Sequence, residues 1–590
     1  MGTTATSTCC SAVASRTRAD RRRVAIAAAL LLALPDAVGA QVATVAAESV
    51  AVSPSATALR QLLAAGSLPG MSRPDVSDVR ASVRQLYAAN AWELRWTADG
   101  RPTPALRAMV QRFLAAGAHG LEPADYDASS HDSTLARLEA GGPLPPEELV
   151  AFDARVSASA LRYVAAMRHG RVRLSWREDS LMMRRPAGDV VPLVDSVLRA
   201  PEPALLLAGL DARGAGYPRL QAALVRARQV AADSTLVLPR LVPPVRPGAR
   251  MEEAADLRRY LVALADLPDT FPTPGPEADT LYDATLVARV KAFQRAEGLT
   301  ADGVLGKATL ERLAATRQWR ARQVELALER WRTMADPPES TYIWVNIPEF
   351  RMHVRSPTLA GWRDVLSMNV VVGRRGRNET PELDEEMEAI VFRPYWNVTP
   401  RIMREEILPK AATDSTYLAK ESMELVQNGK VIPATPENIA SIGTNGIRVR
   451  QIPGAQNALG TMKFLLPNDL GIYLHDTPTR STFSRERRAE SHGCVRLADA
   501  KALALWLLRD VPQWPEARID SAVAGKKPVE VKLPAPVPIR VTYATVVANE
   551  DGTVQLFPDV YGRDRTLDGA LRSGYPYPGR LTSVRSILKP

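Results

Sequence analysis

The spacing of apolar residues changes at Thr341, and no single sheet or bundle accommodates both sides of the change. From about residue 76 to 250 the segments VRASVRQLYAANAWELRW, PALRAMVQRFLAAGAHG and DARVSASALRYVAAMRHG repeat their apolar residues every three or four positions, the period of amphipathic helices. From Thr341 onward TYIWVNIP, FRMHVRS and SMNVVVGR alternate and are rich in β-branched residues, the pattern of strands. The expectation is an α+β multidomain protein, which 590 residues are enough to build. Its parts are a linker or loosely docked arm over 41–75, a helical scaffold over 76–250, and a small helical module over 251–318. A connecting helix over 319–339 then leads into a β-rich domain over 340–555. Residues 401–450 read as a charged, partly helical insert in that domain, placed to act as a lid, and 556–590 as a C-terminal extension. Several local expectations follow. Trp92 and Trp96 share one helical face as core residues. Val290, Phe293 and Leu299 form the core of the small module. The connecting helix returns the chain to the scaffold, which makes the module an insertion. Asp551-Gly552 turns a hairpin, and 566–590 lack enough pattern to order.

The beginning of the chain reads as an export signal. Arg21-Arg22-Arg23 precedes the apolar run VAIAAALLLAL, and the small residues Val38 and Ala40 mark a cut before Gln41. The alternative is a retained membrane anchor, and no second long apolar run offers another span. Residues 1–40 hold five arginines and two aspartates, so the formal charge of +10 falls to +7 without them. That charge is mostly arginine and reads as a solvated surface. No nucleic-acid module accompanies it, so nucleic acid is not an expected partner.

Cysteine usage narrows the chemistry. Three cysteines exclude a disulfide scaffold and a Cys-rich zinc protein, and six histidines leave little for a His-rich metal site. Cys9 and Cys10 leave with the signal, so Cys494 is the only thiol in the remainder. A lone thiol in an oxidising compartment is a buried passenger or a nucleophile, and its neighbours favour the nucleophile. GIYLHD at 471–476 ends a predicted strand, and SHGCVRL follows at 491–497. Either His475 or His492 can serve as the base for Cys494, and His475 is preferred. The Asp476 side chain would leave an extended strand on the opposite face from His475, so a backbone carbonyl is the expected orienter of the imidazole. Gly493 lets the backbone approach a reacting carbonyl, and the Gly493 and Cys494 amides are candidate oxyanion donors. No carboxylate or second cysteine is spaced to make His475, His492 and Cys494 a zinc site, so no metal or cofactor is expected. No histidine follows Cys494, which excludes the Cys-before-His order of papain-like peptidases.

Two stretches carry a family resemblance. The run F-Q-x-x-x-G-L-x-x-D-G-x-x-G-x-x-T-x-x-x-L from Phe293 to Leu313 resembles the three-helix peptidoglycan-binding module. His475, fifteen residues, then Ser491-His492-Gly493-Cys494-Val495-Arg496 resembles the L,D-transpeptidase signature, with Arg496 where Asn is usual. PYWNVTP at 394–400, PGAQNALG at 453–460 and DGTVQLFPDVYGRD at 551–564 also resemble the large Gram-negative members, which have a scaffold, a wall-binding module and a lid.

The resemblance implies a periplasmic, cell-wall transferase that forms 3→3 cross-links between tetrapeptide stems through a Cys494 thioester, with D-Ala released. His475 would be the base. Tyr473, Trp396 and Asn397 would line the site, and Ser491, His492 and Arg496 would support the loop or a substrate carboxylate. It also implies acylation by carbapenems and a part in cell shape. The alternatives are an L,D-carboxypeptidase, an enzyme anchoring an outer-membrane protein to the wall, and a non-catalytic wall-binding scaffold.

Overall fold

The computed structural model describes residues 53–175, 189–211, 216–264, 279–315, 317–334, 336–358, 361–549, 551–572 and 581–583. The export signal, its cut after Ala40, and the 41–52 part of the linker lie outside these residues.

The scaffold is built around the helix Pro146–His169. Pro146 opens it, Glu147 and Glu148 sit in its first turn, and Arg168 and His169 sit in its last, each charge matched to the helix dipole. Gly170, at φ +73°, stops it. The expected amphipathic pattern gives way to burial on all sides from Phe152 to Met167 apart from Arg155. Ala154, Ala158, Ala160 and Ala165 are small enough for neighbouring helices to surround this one, as for a helix at the centre of a large core. Its polar side chains are matched. Asp153, fully buried, accepts from Tyr87 Oη (2.6 Å), from the Arg95 amide (3.0 and 3.1 Å) and from the Trp96 amide (2.9 Å). Ser157 Oγ takes the Trp96 indole N–H at 2.8 Å.

Three sequence expectations are corrected here. The first concerns Trp92 and Trp96. Their helix ends at Ala88, and Ala91 and Trp92 adopt positive φ, so the two rings are not one helical turn apart. Trp96 is a core residue reached by a turn, and Trp92 packs at the edge under Arg60. The second concerns the arm. From Ser53, which caps the helix Pro54–Ala64, the chain is docked: Ala56, Leu59 and Leu63 are buried. The third concerns the end of the chain. Arg563–Arg572 is a helix with Asp564, Leu567 and Ala570 buried, and Leu581–Ser583 pairs in parallel with Arg173–Ser175. Long-range contacts order this segment, above all the buried Arg330–Asp564 pair, and these leave no local periodicity. Residues 573–580 and 584–590 lie outside the described set.

The small module comprises helices Ala254–Leu264, Ala284–Ala296 and Lys307–Ala314, with Val290 and Phe293 in its core. Leu299 is only half-buried and lies outside that core. The helix Arg317–Thr333 returns to the scaffold and packs on Gly216–Ala232 through Leu220, Leu224, Val324 and Leu328. The module is thus inserted between two packed helices. The hairpin Val546–Ala548/Val554–Leu556, turned at Gly552, packs against this pair.

The large sheet contains nine strands, numbered in chain order: β1 Tyr342–Asn346, β2 Arg351–Thr358, β3 Gly361–Gly373, β4 Leu383–Phe392, β5 Met462–Leu465, β6 Leu474–His475, β7 Ala489–Ser491, β8 Val495–Leu497 and β9 Val529–Thr542. Their order is β7-β3-β8-β6-β5-β4-β9-β1-β2, and β2 also pairs with β3, so the sheet closes on itself. The insert between β4 and β5 folds as a unit. A four-stranded sheet and short helices cover its own core of Ile402, Leu418, Leu425, Ile439 and Val449, so it is more than a charged helical excursion.

Candidate active site

Strand register puts the chemistry on one face. In β6, Leu474 and His475 pair with Phe464 and Lys463 of β5, and with Val495 and Arg496 of β8. Alternation sends Phe464, Leu474, Val495 and Leu497 into the core, where all are fully buried. It sends Lys463, His475 and Arg496 to the other face. Tyr473 and Cys494, each two residues earlier, join them there, and the Val495 amide donates to the Tyr473 carbonyl at 3.2 Å.

His475 is only 5 % exposed. Its Nδ1 lies 2.5 Å from the Asp476 carbonyl oxygen, so Nδ1 carries the proton and Nε2 keeps its lone pair. Burial, with Arg496 and Lys463 nearby, pulls its pKa down to about 3, and the imidazole is neutral near pH 7. The Asp476 carboxylate turns away. It accepts from the Thr461 amide (2.9 Å) and hydroxyl (2.8 Å) and pairs with Arg480.

The Cys494 thiol is free and half-buried. Burial raises its pKa. Hydrogen bonds from Tyr473 and the charges of Lys463 and Arg496 oppose that rise. The thiol is turned to the Gly471 carbonyl at 3.8 Å, and among the described residues no hydrogen bond joins it to His475. Catalytic hydrogen bonds are commonly long without substrate. Burial also lowers the pKa of Lys463, whose Nζ lies 3.9 Å from the centre of the Tyr473 ring. The Arg496 Nε is buried with no hydrogen-bond partner among the described residues, and burial lowers the pKa of its guanidinium.

The turn before Cys494 is held from both sides. Gly493 has φ +123°, a conformation that favours glycine. Its amide donates to Ser491 Oγ at 3.2 Å, so in this state it is engaged within the loop, while Ser491 Oγ donates to the Cys494 carbonyl at 2.6 Å. Thr380 Oγ1 donates to the Gly493 carbonyl (2.8 Å) and accepts from the Gly373 amide (2.8 Å). Tyr561 Oη donates to the Gly373 carbonyl at 2.7 Å. Any Cβ on Gly373 would fall 1.9 Å from the Asn378 carbonyl oxygen, so a glycine is needed for β3 to run this close to the loop.

Three predicted residues sit elsewhere. His492 points to the insert, where Nε2 lies 2.5 Å from Glu406 Oε1. Trp396 and Asn397 form a strand of the insert's sheet opposite Gln451 and Arg450, with Trp396 packed on the insert's core. Sequence reasoning missed Lys463, Thr380 and Glu406. Lys463 is recoverable only from the β5–β6 register. Tyr561 lies within the run DGTVQLFPDVYGRD but had no role there.

Residues 340–531 match the model of the L,D-transpeptidase catalytic domain, 81–224 that of a scaffold domain, and 250–313 that of a peptidoglycan-binding domain. A Haemophilus influenzae protein named as a candidate L,D-transpeptidase is 33% identical over 249 residues, 41% of this chain and 49% of its own. The chain thus spans about half the length of the curated relative it matches.

Proposed function

We propose that the protein, whose residues 340–531 match the L,D-transpeptidase catalytic-domain model and whose earlier residues match scaffold and peptidoglycan-binding models, forms 3→3 cross-links in peptidoglycan through a Cys494 thioester. The observation that supports this is the shared sheet face on which strand register puts a neutral, carbonyl-oriented His475 and the Cys494 thiol together with Lys463 and Arg496.

In the reaction His475 Nε2 takes the thiol proton. The Cys494 sulfur attacks the carbonyl at the L-centre of the donor stem's third residue. The tetrahedral intermediate collapses, the C–N bond to D-Ala breaks, and the imidazolium returns its proton to the departing amine. The side-chain amine of an acceptor stem then attacks the thioester, His475 takes a proton from it, and the thiol is re-formed as the C–S bond breaks. Lys463 and Arg496 stabilise the thiolate before attack, offsetting the burial that disfavours it. The Glu406–His492 contact ties the insert to the residue beside the nucleophile, in keeping with a lid. These steps belong in the cell envelope, in keeping with export. Water or a protein amine in place of the second stem would give the carboxypeptidase or anchoring reaction.

A carbapenem tests the first half-reaction: intact mass should rise by one drug molecule, and peptide mapping should put it on Cys494. A protein of unchanged mass after prolonged exposure would contradict the thioester.

The charge arrangement predicts an unusual pH profile. With His475 held at about 3 and the thiol above its ordinary value, the thiolate population rises with pH and His475 does not titrate between pH 5 and 8. Iodoacetamide alkylation of Cys494 should climb about tenfold per pH unit over this range as a single limb. A plateau starting near pH 6 would instead reveal a thiolate–imidazolium pair. Lys463→Met should slow the same alkylation about 3–10-fold at pH 7.5 by removing a cation from beside the thiolate, and Lys463→Arg should restore most of the rate. Equal rates in all three proteins would remove Lys463 from the account.

A further inference from the structure

A cleft of about 520 Å³ lies between the peptidoglycan-binding module and the β1–β3 side of the catalytic sheet, and Cys494 does not line it. The module contributes the segment that begins at Arg295, the sheet contributes Trp344, Arg351, His353 and Arg355, and the loop between His475 and Cys494 contributes Arg488.

The cleft has too few carboxylates for its cations. His353 Nδ1 lies 2.6 Å from Asp364 Oδ2, and Nε2 lies 3.2 Å from Glu349 Oε1. Only the imidazolium donates from both nitrogens, so His353 draws on both acids. Arg355 shares Asp364 at 3.2 Å, and Arg351 reaches Glu349 only at 3.9 Å. Arg488 is 9 % exposed, and its partners are neutral: the carbonyl oxygens of Val370 (3.2 Å), Phe350 (3.1 Å) and Arg485 (2.6 Å), and Asn369 Oδ1 (3.4 Å). Burial and the neighbouring Arg351 push its pKa down to about 10, against the weaker opposing effect of Glu349. Arg295 is exposed on the module wall, and Glu486 is an exposed acid on the loop. Under Arg355 the Trp344 ring supplies an apolar floor, at 3.7 Å from guanidinium carbon to ring centre.

We propose that this cleft is a second, non-reacting site for an acidic peptide carrying at least two free carboxylates, held between Arg295 on the module and Arg351, Arg355 and Arg488 on the catalytic domain. On the reading of the previous subsection, on which this rests, that peptide is a stem of the wall. Guanidinium forks match carboxylates in pairs, and the space suits a short peptide. Arg488 immediately precedes β7, which ends at Ser491, so an occupant would rest on the back of the catalytic loop.

The test uses the full chain and a synthetic tetrapeptide stem bearing a diazirine, cross-linked by light and mapped by mass spectrometry. Labels are expected in 295–300 and 349–355, separately from labels near Cys494. Arg295→Glu with Arg351→Glu should reduce the cleft labels at least tenfold and leave those near Cys494 within twofold. A stem with amidated carboxylates should lose the cleft labels on the unaltered protein, which needs no variant to fold. Labels near Cys494 with none in the cleft, or cleft labels indifferent to charge, overturn this proposal and leave the transpeptidase reading standing. Labels at neither place overturn both.

Discussion

His475→Ala is expected to slow carbapenem acylation of Cys494 by about 10²–10⁴-fold at pH 7, the contribution of a positioned general base. The imidazole is the group that can accept the thiol proton on this face: Lys463 and Arg496 are cations, and the Tyr473 hydroxyl has its pKa raised by burial and by Cys494 itself. As pH rises more of the thiol ionises without help, so the loss in alkylation by iodoacetamide should shrink steadily with rising pH. That contrast separates a lost base from a damaged site. His492→Asn should cost less than about fivefold in acylation, because His492 faces Glu406 on the insert and not the sulfur. If His492→Asn gave the large loss and His475→Ala the small one, the roles would be reversed and the neutral His475 would be a packing residue.

Asp153→Ala should destabilise the scaffold by about 3–5 kcal/mol, since three buried donors lose their acceptor at about 1–3 kcal/mol each and the site relaxes in part. The donors are Tyr87 Oη and the amides of Arg95 and Trp96, and they fix the turn that carries Trp96 into the core. The melting transition of the scaffold should fall by roughly 10 °C. Asp153→Asn should fall between: its oxygen can accept from some of these donors while its NH₂ group opposes another. A loss below about 1 kcal/mol for the alanine variant, measured by denaturant titration, would show that the Tyr87–Trp96 segment is held by packing alone.

The parts of this molecule readable from sequence are those set by short-range pattern. The change of period at Thr341 announces the β-rich domain, and Phe293 with the glycines and Thr309 that follow outlines the module. GIYLHD followed by SHGCVRL brings His475 and Cys494 to adjacent strands, because each lies in or beside a short β segment. What was missed depends on partners far away in the chain. Nothing local shows that the helix through Val83 stops at Ala88, since its end is set by Asp153 drawing in the Arg95 and Trp96 amides. The helix Arg563–Arg572 is ordered by Arg330, more than two hundred residues earlier. Lys463 joins the site by strand register, and Glu406 reaches His492 from another subdomain. The cation-rich cleft beside Arg488 emerges only when module and sheet are brought together.

The central claim is that Cys494 exchanges one amide bond for another between two stems. The most direct measurement incubates the purified chain with disaccharide-tetrapeptide and weighs the products. The account predicts dimers of donor and acceptor lighter by one D-Ala, joined through the third residues, and absent with Cys494→Ala. Dimers that persist in the alanine variant, or no product at all from a protein that also resists carbapenem, would contradict it.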